Sequence, residues 1–463
     1  MDNQTALTLI RDILAPRQLS PLEELVICNS WEGKRYREMA LSLGYEEGYL
    51  KDTGSRLWQS LSESLGCPVS KKRLRYTLTE IAAQSQAPKT ATVSPENAPA
   101  NVADEASPKV LPLPEWEQSI EYPGSPLSFG SPLYIRRSSV EKLAVSVLEH
   151  PGGLLRIKAP WRMGKTSLIN HVLGECQQLG HATVVIDMRQ VDTTSLETLD
   201  AFFRWFCWSI NQQLNLTWEL DKYWFEDAGS KLNCTTYMQE HILAQIDSPL
   251  VIAIDTCHSL VEHPVIAKNF FAMLRSWYEQ AKVRPQWQNL RLVLAHVDNL
   301  DLPVHMHQSP FNIGLQVELN CFTSQQIHCL RERYSLGEIQ EQEAAALGSL
   351  IELVGGHPYL MQLAFYWQKS GQFSLDQILQ AATTNGGIYR EYLRGLWLIV
   401  QREEALIEAL RQVLLTPEPV CLNPEQAFAL VDIGLVEMMG HQFELRCELY
   451  RSYFSSMLEL EGG

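Results

Sequence analysis

The sequence predicts an α/β protein: a P-loop core built on a parallel sheet, preceded by a small all-α module and followed by a helical lid and a C-terminal winged helix. Three observations predict it. Between about residues 131 and 319, short apolar runs at 154–159, 183–186, 250–254, 292–295 and 315–319 alternate with helical stretches, and strands alternating with helices form a parallel sheet covered on both faces. The first run leads into Ala159-Pro160-Trp161-Arg162-Met163-Gly164-Lys165-Thr166, which opens a helix over 167–173. The third run ends in a carboxylate, Asp255, about 90 residues later.

The chain of 463 residues allows about three domains. Its formal charge is -16, so the molecule as a whole repels nucleic acid and anionic membrane, and any DNA contact must be local. That charge lies entirely beyond residue 85; residues 1–85 hold equal numbers of basic and acidic side chains. The ten cysteines form no CxxC pair and no dense framework, a usage that suits a reducing cytoplasm. Residues 1–20 lack an apolar signal core and no stretch of about 18 apolar residues occurs, which predicts a cytoplasmic chain without membrane contact.

Residues 86–126 are dominated by Pro, Ala, Ser, Thr and Gln and read as a flexible linker. Before it, residues 1–85 read as short helices: 21–31, with Ser20 as cap and Pro21 at the first position, 35–43 ending at Gly44, and 46–65 with Tyr49, Leu50, Leu57, Trp58, Leu61 and Leu65 at helical spacing. Helix, Gly-containing turn, helix is a helix-turn-helix arrangement, whose second helix can enter a major groove. Lys51, Arg56, Lys71, Lys72, Arg73 and Arg75 are the candidate DNA contacts. Three short helices of neutral net charge equally make a protein-interaction module, so both partners stay open.

The spacing in 159–166 carries phosphate chemistry. Backbone N–H groups converge on an anion at the helix N-terminus, Lys165 supplies a cation to the β and γ phosphates, and Thr166 supplies a hydroxyl to Mg²⁺. Ala159 stands where the pattern usually has its first glycine. Asp255 ends a strand as a Walker B carboxylate does and is the second candidate Mg²⁺ ligand. The next residue, where a glutamate commonly polarises the attacking water, is Thr256; a hydroxyl of very high pKa is no carboxylate base, which predicts slow hydrolysis or none unless His258 or Glu262 substitutes.

Other constellations have plainer readings. His305 and His307, near His296 and Asp298, fall short of a defined metal set. His296 also follows a strand, a candidate place to sense a γ-phosphate. The aromatic block 202–208 fits core packing better than a base-stacking platform. Adjacent Cys257, His258 and Ser259 make no nucleophile triad. After residue 322 the chain reads as helical, with candidates at 325–334, 342–354 and 358–368 in a lid spanning 323–400. A helix at 424–433, a turn at Gly434, an apolar run 435–439, a turn at 440–441 and a run 443–445 give the winged helix of 401–463.

With these elements in hand, residues 130–460 resemble a bacterial AAA-like P-loop family of STAND-type signalling ATPases. The resemblance is carried by Leu154-Leu155-Arg156-Ile157-Lys158 with Met163-Gly164-Lys165-Thr166-Ser167-Leu168, by 270–278, by 308–314, by Val354-Gly355-Gly356-His357-Pro358-Tyr359-Leu360 and by Arg446-Cys447-Glu448-Leu449-Tyr450. Residues 10–80, especially Ser30-Trp31-Glu32-Gly33-Lys34 and Tyr49-Leu50-Lys51-Asp52-Thr53-Gly54, resemble the N-terminal helix-turn-helix of vWA-MoxR-associated proteins. The resemblance implies an α/β nucleotide-binding domain over 127–322 that takes ATP or ADP with Mg²⁺. It further implies nucleotide contacts from Ala159, Pro160, Met163, Gly164, Lys165, Thr166 and Ser167, from Tyr134, Ile135 and Arg136 before the first strand, and from Pro358 near the adenine.

The function expected is a nucleotide-dependent regulatory switch with weak or absent hydrolysis, coupling nucleotide state to DNA or a protein partner through residues 1–85. The alternatives are an active, homo-oligomeric ATPase that remodels a partner, and a pseudo-ATPase scaffold.

Overall fold

The computed structural model describes residues 121–297, 309–337 and 341–458, together with Pro21–Trp31 and scattered positions from Ile10 to Leu74. The chain divides into two compact units, residues 1–109 and 110–463. Of the expected linker at 86–126, residues 86–120 lie outside the described residues, as do Asp298, His305 and His307, whereas 121–126 are described and Gly124, Ser125 and Pro126 line a cavity of the second unit.

In the first unit, helix α1 (Pro21–Trp31) buries Val26, Ile27 and Trp31 in a small core with Ile10, Met39, Leu50, Leu57, Trp58, Leu61 and Leu74. Leu50, Thr53, Leu57, Trp58 and Leu61 are helical and buried, at the spacing of one helix face. Gly54 belongs to that face because a Cβ there would collide with the Tyr36 hydroxyl. That hydroxyl accepts a hydrogen bond from Trp58 Nε1 at 2.9 Å. Lys71 Nζ lies 4.1 Å above the Tyr36 ring, whereas Lys51, Arg56, Lys72, Arg73 and Arg75 lie outside the described residues.

The second unit is built on five parallel strands, β1 (Leu154–Lys158), β2 (Ala182–Asp187), β3 (Leu250–Asp255), β4 (Leu290–His296) and β5 (Leu315–Glu318), in the order β2-β3-β4-β1-β5. Period-two alternation divides their side chains between two faces. Leu155, Ile157, Val251, Ala253, Val293 and Ala295 pack against helices α2 (Ser138–Glu149) and α3 (Lys165–Gln178). Leu154, Ile252, Ile254, Leu292 and Leu294 pack on the other face with α4 (Leu199–Gln213), α5 (Ser230–Tyr237) and α6 (Pro264–Gln280). The aromatic block is core: Phe202 and Phe206 meet Phe270 edge-on at 5.1 and 5.0 Å, and only Trp208 of the block is exposed. Such pairs add specificity to the area they bury.

Beyond the sheet follow α7 (Ser324–Arg333), α8 (Glu341–Val354), α9 (Pro358–Lys369), α10 (Leu375–Ala381), α11 (Arg390–Val400), α12 (Glu404–Leu414) and α13 (Pro424–Ile433). An antiparallel hairpin, β6 (Val436–Met439) and β7 (Gln442–Leu445), precedes α14 (Glu448–Met457). Reciprocal side-chain caps start α7 (Thr323 with Gln326) and α10 (Ser374 with Gln377). Gly434, at φ 90°, ends α13 in the left-handed conformation that favours glycine. One hydrophobic core, from Phe322 through Leu360, Leu410 and Leu430 to Phe454, runs through all of these elements.

Candidate functional site

Parallel strands with helices on both faces leave their C-terminal ends open to a ligand. Here those ends are aligned by register: Lys158 stands level with His296, and Asp187 level with Asp255. Gly164, at φ 96°, turns the chain from the loop into α3, whose first backbone N–H groups have no partner inside the helix. Against this face lies a cavity of about 480 Å³, within the range of small-molecule sites, roughly 300–1,000 Å³.

Four cationic side chains line the cavity, Arg137, Arg162, Lys165 and Arg189, against one carboxylate, Asp255. In a chain of net charge -16 this is a local reversal of sign, suited to a polyanion. Lys165 Nζ donates to the carbonyls of Ala159 and Pro160 at 2.7 Å each, which holds it at the loop. Thr166 Oγ1 donates to Asp255 Oδ2 at 2.5 Å. Thr256, at φ 57°, is a β-branched residue in left-handed backbone, and its N–H donates to Asp255 Oδ1 at 2.7 Å. His258 lines the same end, with its Nδ1 buried and without a hydrogen-bond partner among the described residues. Burial, and then the charges of Lys165 and Arg189, push its pKa down to about 4, so it is neutral at pH 7.

The opposite wall is made by Gly124, Ser125, Leu127, Leu133, Tyr134, Ile135 and Phe322, with Pro358, Tyr359 and Gln362 of α9. Tyr134 stacks on His171 at 4.5 Å and its hydroxyl donates to Glu141 at 2.9 Å. Arg162 bridges the two walls: it hydrogen-bonds the Gly124 carbonyl at 2.5 Å and lies 5.0 Å over the Tyr359 ring. Arg137 donates to the Met163 carbonyl at 3.2 Å and lies 4.8 Å over the Phe322 ring.

Of the expected site residues, Met163, Gly164, Lys165, Thr166, Ser167, Tyr134, Ile135, Asp255 and Pro358 line the cavity together. Ala159 and Pro160 contribute the carbonyls that hold Lys165. Arg136 does not join them: its largely exposed guanidinium meets Glu175 at 3.4 Å, and Arg137 takes the place at the cavity. His296 also stands apart from the cavity wall. Its Nδ1 is 2.6 Å from the Val297 carbonyl, its ring packs edge-on against Phe311, and burial holds it neutral with a pKa of about 4. Among the described residues no group of His, Cys, Asp and Glu is placed to hold a metal by itself. Arg189, Arg137 and Tyr359 are cavity residues that the sequence reading missed; the only signal was position, two residues past a strand end, next to Arg136, and next to Pro358.

Residues 122–456 match the AAA-like domain model, and residues 1–81 match the model of the vWA-MoxR associated protein N-terminal HTH. Among solved structures, a Walker-type ATPase of Pyrococcus abyssi is similar at a TM-score of 0.50, with 13% identity over 69% of this chain and 95% of its own. The ORC2 protein of Aeropyrum pernix is similar at 0.43, with 14% identity over 72% of this chain and 96% of its own. At such identities the likeness concerns the fold alone. No curated protein matches the chain. Among the described residues no helix is long and apolar enough to cross a membrane. The AAA-like model spans well over half of the 463 residues and carries the P-loop geometry described above, so the chain belongs to the AAA-like domain family, with an N-terminal HTH module.

Proposed function

We propose that this protein is a nucleotide-dependent regulatory switch that takes ATP or ADP with Mg²⁺ in the cavity, hydrolyses slowly, and couples nucleotide state to DNA or a protein partner through residues 1–85. The observation that carries this reading is the cavity itself: four cations and a helix N-terminus around a space of about 480 Å³ suit a phosphorylated ligand of mononucleotide size. The facing Thr166 hydroxyl and Asp255 carboxylate are the oxygen donors a hard divalent cation takes, so the residues fit Mg²⁺. When bound, the ion would offset phosphate charge. This chain's own Lys165 and α3 N-terminus orient the phosphates, and Tyr134, Ile135, Phe322 and Pro358 offer apolar surface to the base.

Thr256 supports slow turnover, since its hydroxyl accepts no proton near neutral pH. For a switch, the nucleotide must favour one arrangement by several kcal/mol. Support for such coupling comes from α9, which contributes Pro358, Tyr359 and Gln362 to the cavity and shares a core with the elements up to α14. We read α12, α13 and the β6–β7 hairpin as a winged helix, on their order and on the Val420–Phe443 bridge that joins the hairpin to the segment before α13.

The test is nucleotide content after purification, followed by calorimetry with ATP and ADP. Lys165→Ala is expected to weaken ATP affinity about tenfold or more, at least about 1.4 kcal/mol. Equal affinity in wild type and variant would remove the P-loop from the reading. Gel shift of duplex DNA by the full chain, falling steeply with salt, would select DNA over a protein partner.

A further inference from the structure

Thr256 leaves the end of β3 with no carboxylate after Asp255, yet the fold sets one beside it. β2 and β3 pair with Asp187 opposite Asp255, so the last residue of the edge strand stands level with the last residue of β3. Arg189 grips the Asp187 carboxylate: its Nε lies 2.9 Å from Oδ1 and 3.1 Å from Oδ2, its Nη2 2.7 Å from Oδ2, and its backbone N–H 3.0 Å from Oδ1. Burial raises the Asp187 pKa, but the hydrogen bonds from Arg189 outweigh it and leave the carboxyl below its ordinary range. Arg189 and Thr256 line the cavity; Asp187 is not itself in the lining and adjoins it through its bonds to Arg189.

We propose that Asp187 is the water-positioning carboxylate of this site, and that Arg189 masks it until a γ-phosphate draws the guanidinium away. The proposal rests on the reading of the cavity as an ATP site. The Arg189 side chain is 60% exposed, so it can swing from Asp187 without opening the core, and a triphosphate offers it several negative oxygens in the same bidentate geometry that Asp187 does. With Arg189 turned to the phosphate, the Asp187 oxygens face the end of the cavity where the γ-phosphate would lie. A water held there forms its O–P bond as the bond from the γ-phosphorus to the bridging oxygen breaks. ADP leaves with that electron pair, and the water proton passes to Asp187 and on to solvent. Arg189 then offsets charge on the transferred group. A carboxylate masked in this way would make such a site slow although its parts are present.

The bland alternative is that the pair merely closes the turn after β2. Three variants of the full chain distinguish the two, read by single-turnover release of labelled phosphate at saturating ATP and Mg²⁺ and by calorimetric ATP affinity. Asp187→Asn is expected to slow release about tenfold or more while ATP affinity stays within about twofold. Asp187→Glu is expected to recover some of the rate. Arg189→Gln, which breaks the same pair but leaves the carboxylate, is expected to weaken ATP affinity, while its single-turnover release at saturating ATP falls far less than that of Asp187→Asn. A rate unchanged in Asp187→Asn, or no release by ATP-bound wild type over hours, would overturn the proposal. So would an Arg189→Gln variant as slow as Asp187→Asn, since the pair would then be structural. Failure of wild type to bind ATP at all would instead sink the nucleotide reading.

Discussion

The strand-tip wall of the cavity is made by short runs of chain, 161–167 and Asp255, Thr256 and His258, with Arg189, whereas the facing wall joins residues between 124 and 137 to Phe322 and to Pro358, Tyr359 and Gln362 of α9. The first wall is held by local hydrogen bonds: Lys165 to the loop's own carbonyls, Thr256 N–H to the preceding carboxylate. The second is held by packing between distant segments, with backbone close against backbone at Gly355 and Gly356. It follows that the phosphate end can be altered without loosening the fold, while the facing wall cannot. Substitutions on the two walls test that division.

The largest effect is expected at Gly356. It sits at φ 67°, a Cβ there would lie 2.6 Å from the Phe322 carbonyl oxygen, and its own carbonyl accepts the Phe322 N–H at 2.9 Å. Gly356→Ala must accept left-handed strain and push the backbones of residues 322 and 356 away from each other, which should cost about 2–4 kcal/mol. A thermal melt that drops by less than about 2 °C would show that the facing wall yields as easily as the phosphate end.

Thr256→Glu belongs to the other wall and should leave the melt nearly unchanged while altering chemistry. It places a carboxylate beside Asp255, and general-base assistance is worth roughly 10²- to 10⁴-fold, so even imperfect placement should raise phosphate release about tenfold or more at saturating ATP and Mg²⁺. A wild type already turning over at about 1 s⁻¹ would show that Thr256 never limited the site. A variant that binds ATP and stays silent would mean that the rest of the wall is incomplete.

These two residues also show how far the sequence was legible. The strands, the loop and Asp255 were legible because a local pattern encodes each: period-two burial, a Gly-Lys-Thr helix start, an apolar run ending in acid. Thr256 was legible by contrast with that pattern. The facing wall was legible only through family resemblance, which pointed to Tyr134, Ile135 and Pro358, because no local period records that Phe322 and Gly356 share a hydrogen bond across 34 residues of chain. Arg189 and Asp187 were missed for a similar reason: their meaning comes from strand pairing with β3, and the order β2-β3-β4-β1-β5 is not written in any window of sequence.

A smaller effect concerns pH. His357, just before Pro358, is buried, and burial followed by the nearby Arg446 charge pushes its pKa down to about 3. The unfolded chain takes up a proton near pH 6.5 while the folded site does not, so stability is full above that value and is lost as pH falls toward 3. The slope is at most about 1.4 kcal/mol per pH unit for this group. His258 and His296, each near 4, act in the same direction. Replacing His357 by Gln should therefore flatten the fall in melting temperature between pH 7 and pH 5 without abolishing it. Parallel curves for variant and wild type would show that the folded wall admits the proton.

The smallest effect separates two adjacent arginines. The resemblance pointed to Arg136, but its side chain is 66% exposed and pairs with Glu175, and such surface pairs contribute little. Arg137 instead lines the cavity, braces the Met163 carbonyl and lies over Phe322, so it ties the loop to the facing wall. Arg137→Ala should weaken ATP affinity about threefold, roughly 0.7 kcal/mol, through lost charge and a loosened loop. Arg136→Ala should leave affinity within about 1.5-fold, a change of less than about 0.3 kcal/mol. Calorimetry on both variants at one ionic strength decides it, because bulk charge changes equally in the two and only position differs. If Arg136→Ala proved the weaker binder, the segment before α2 would have to turn over when nucleotide enters, and the facing wall would be the mobile one.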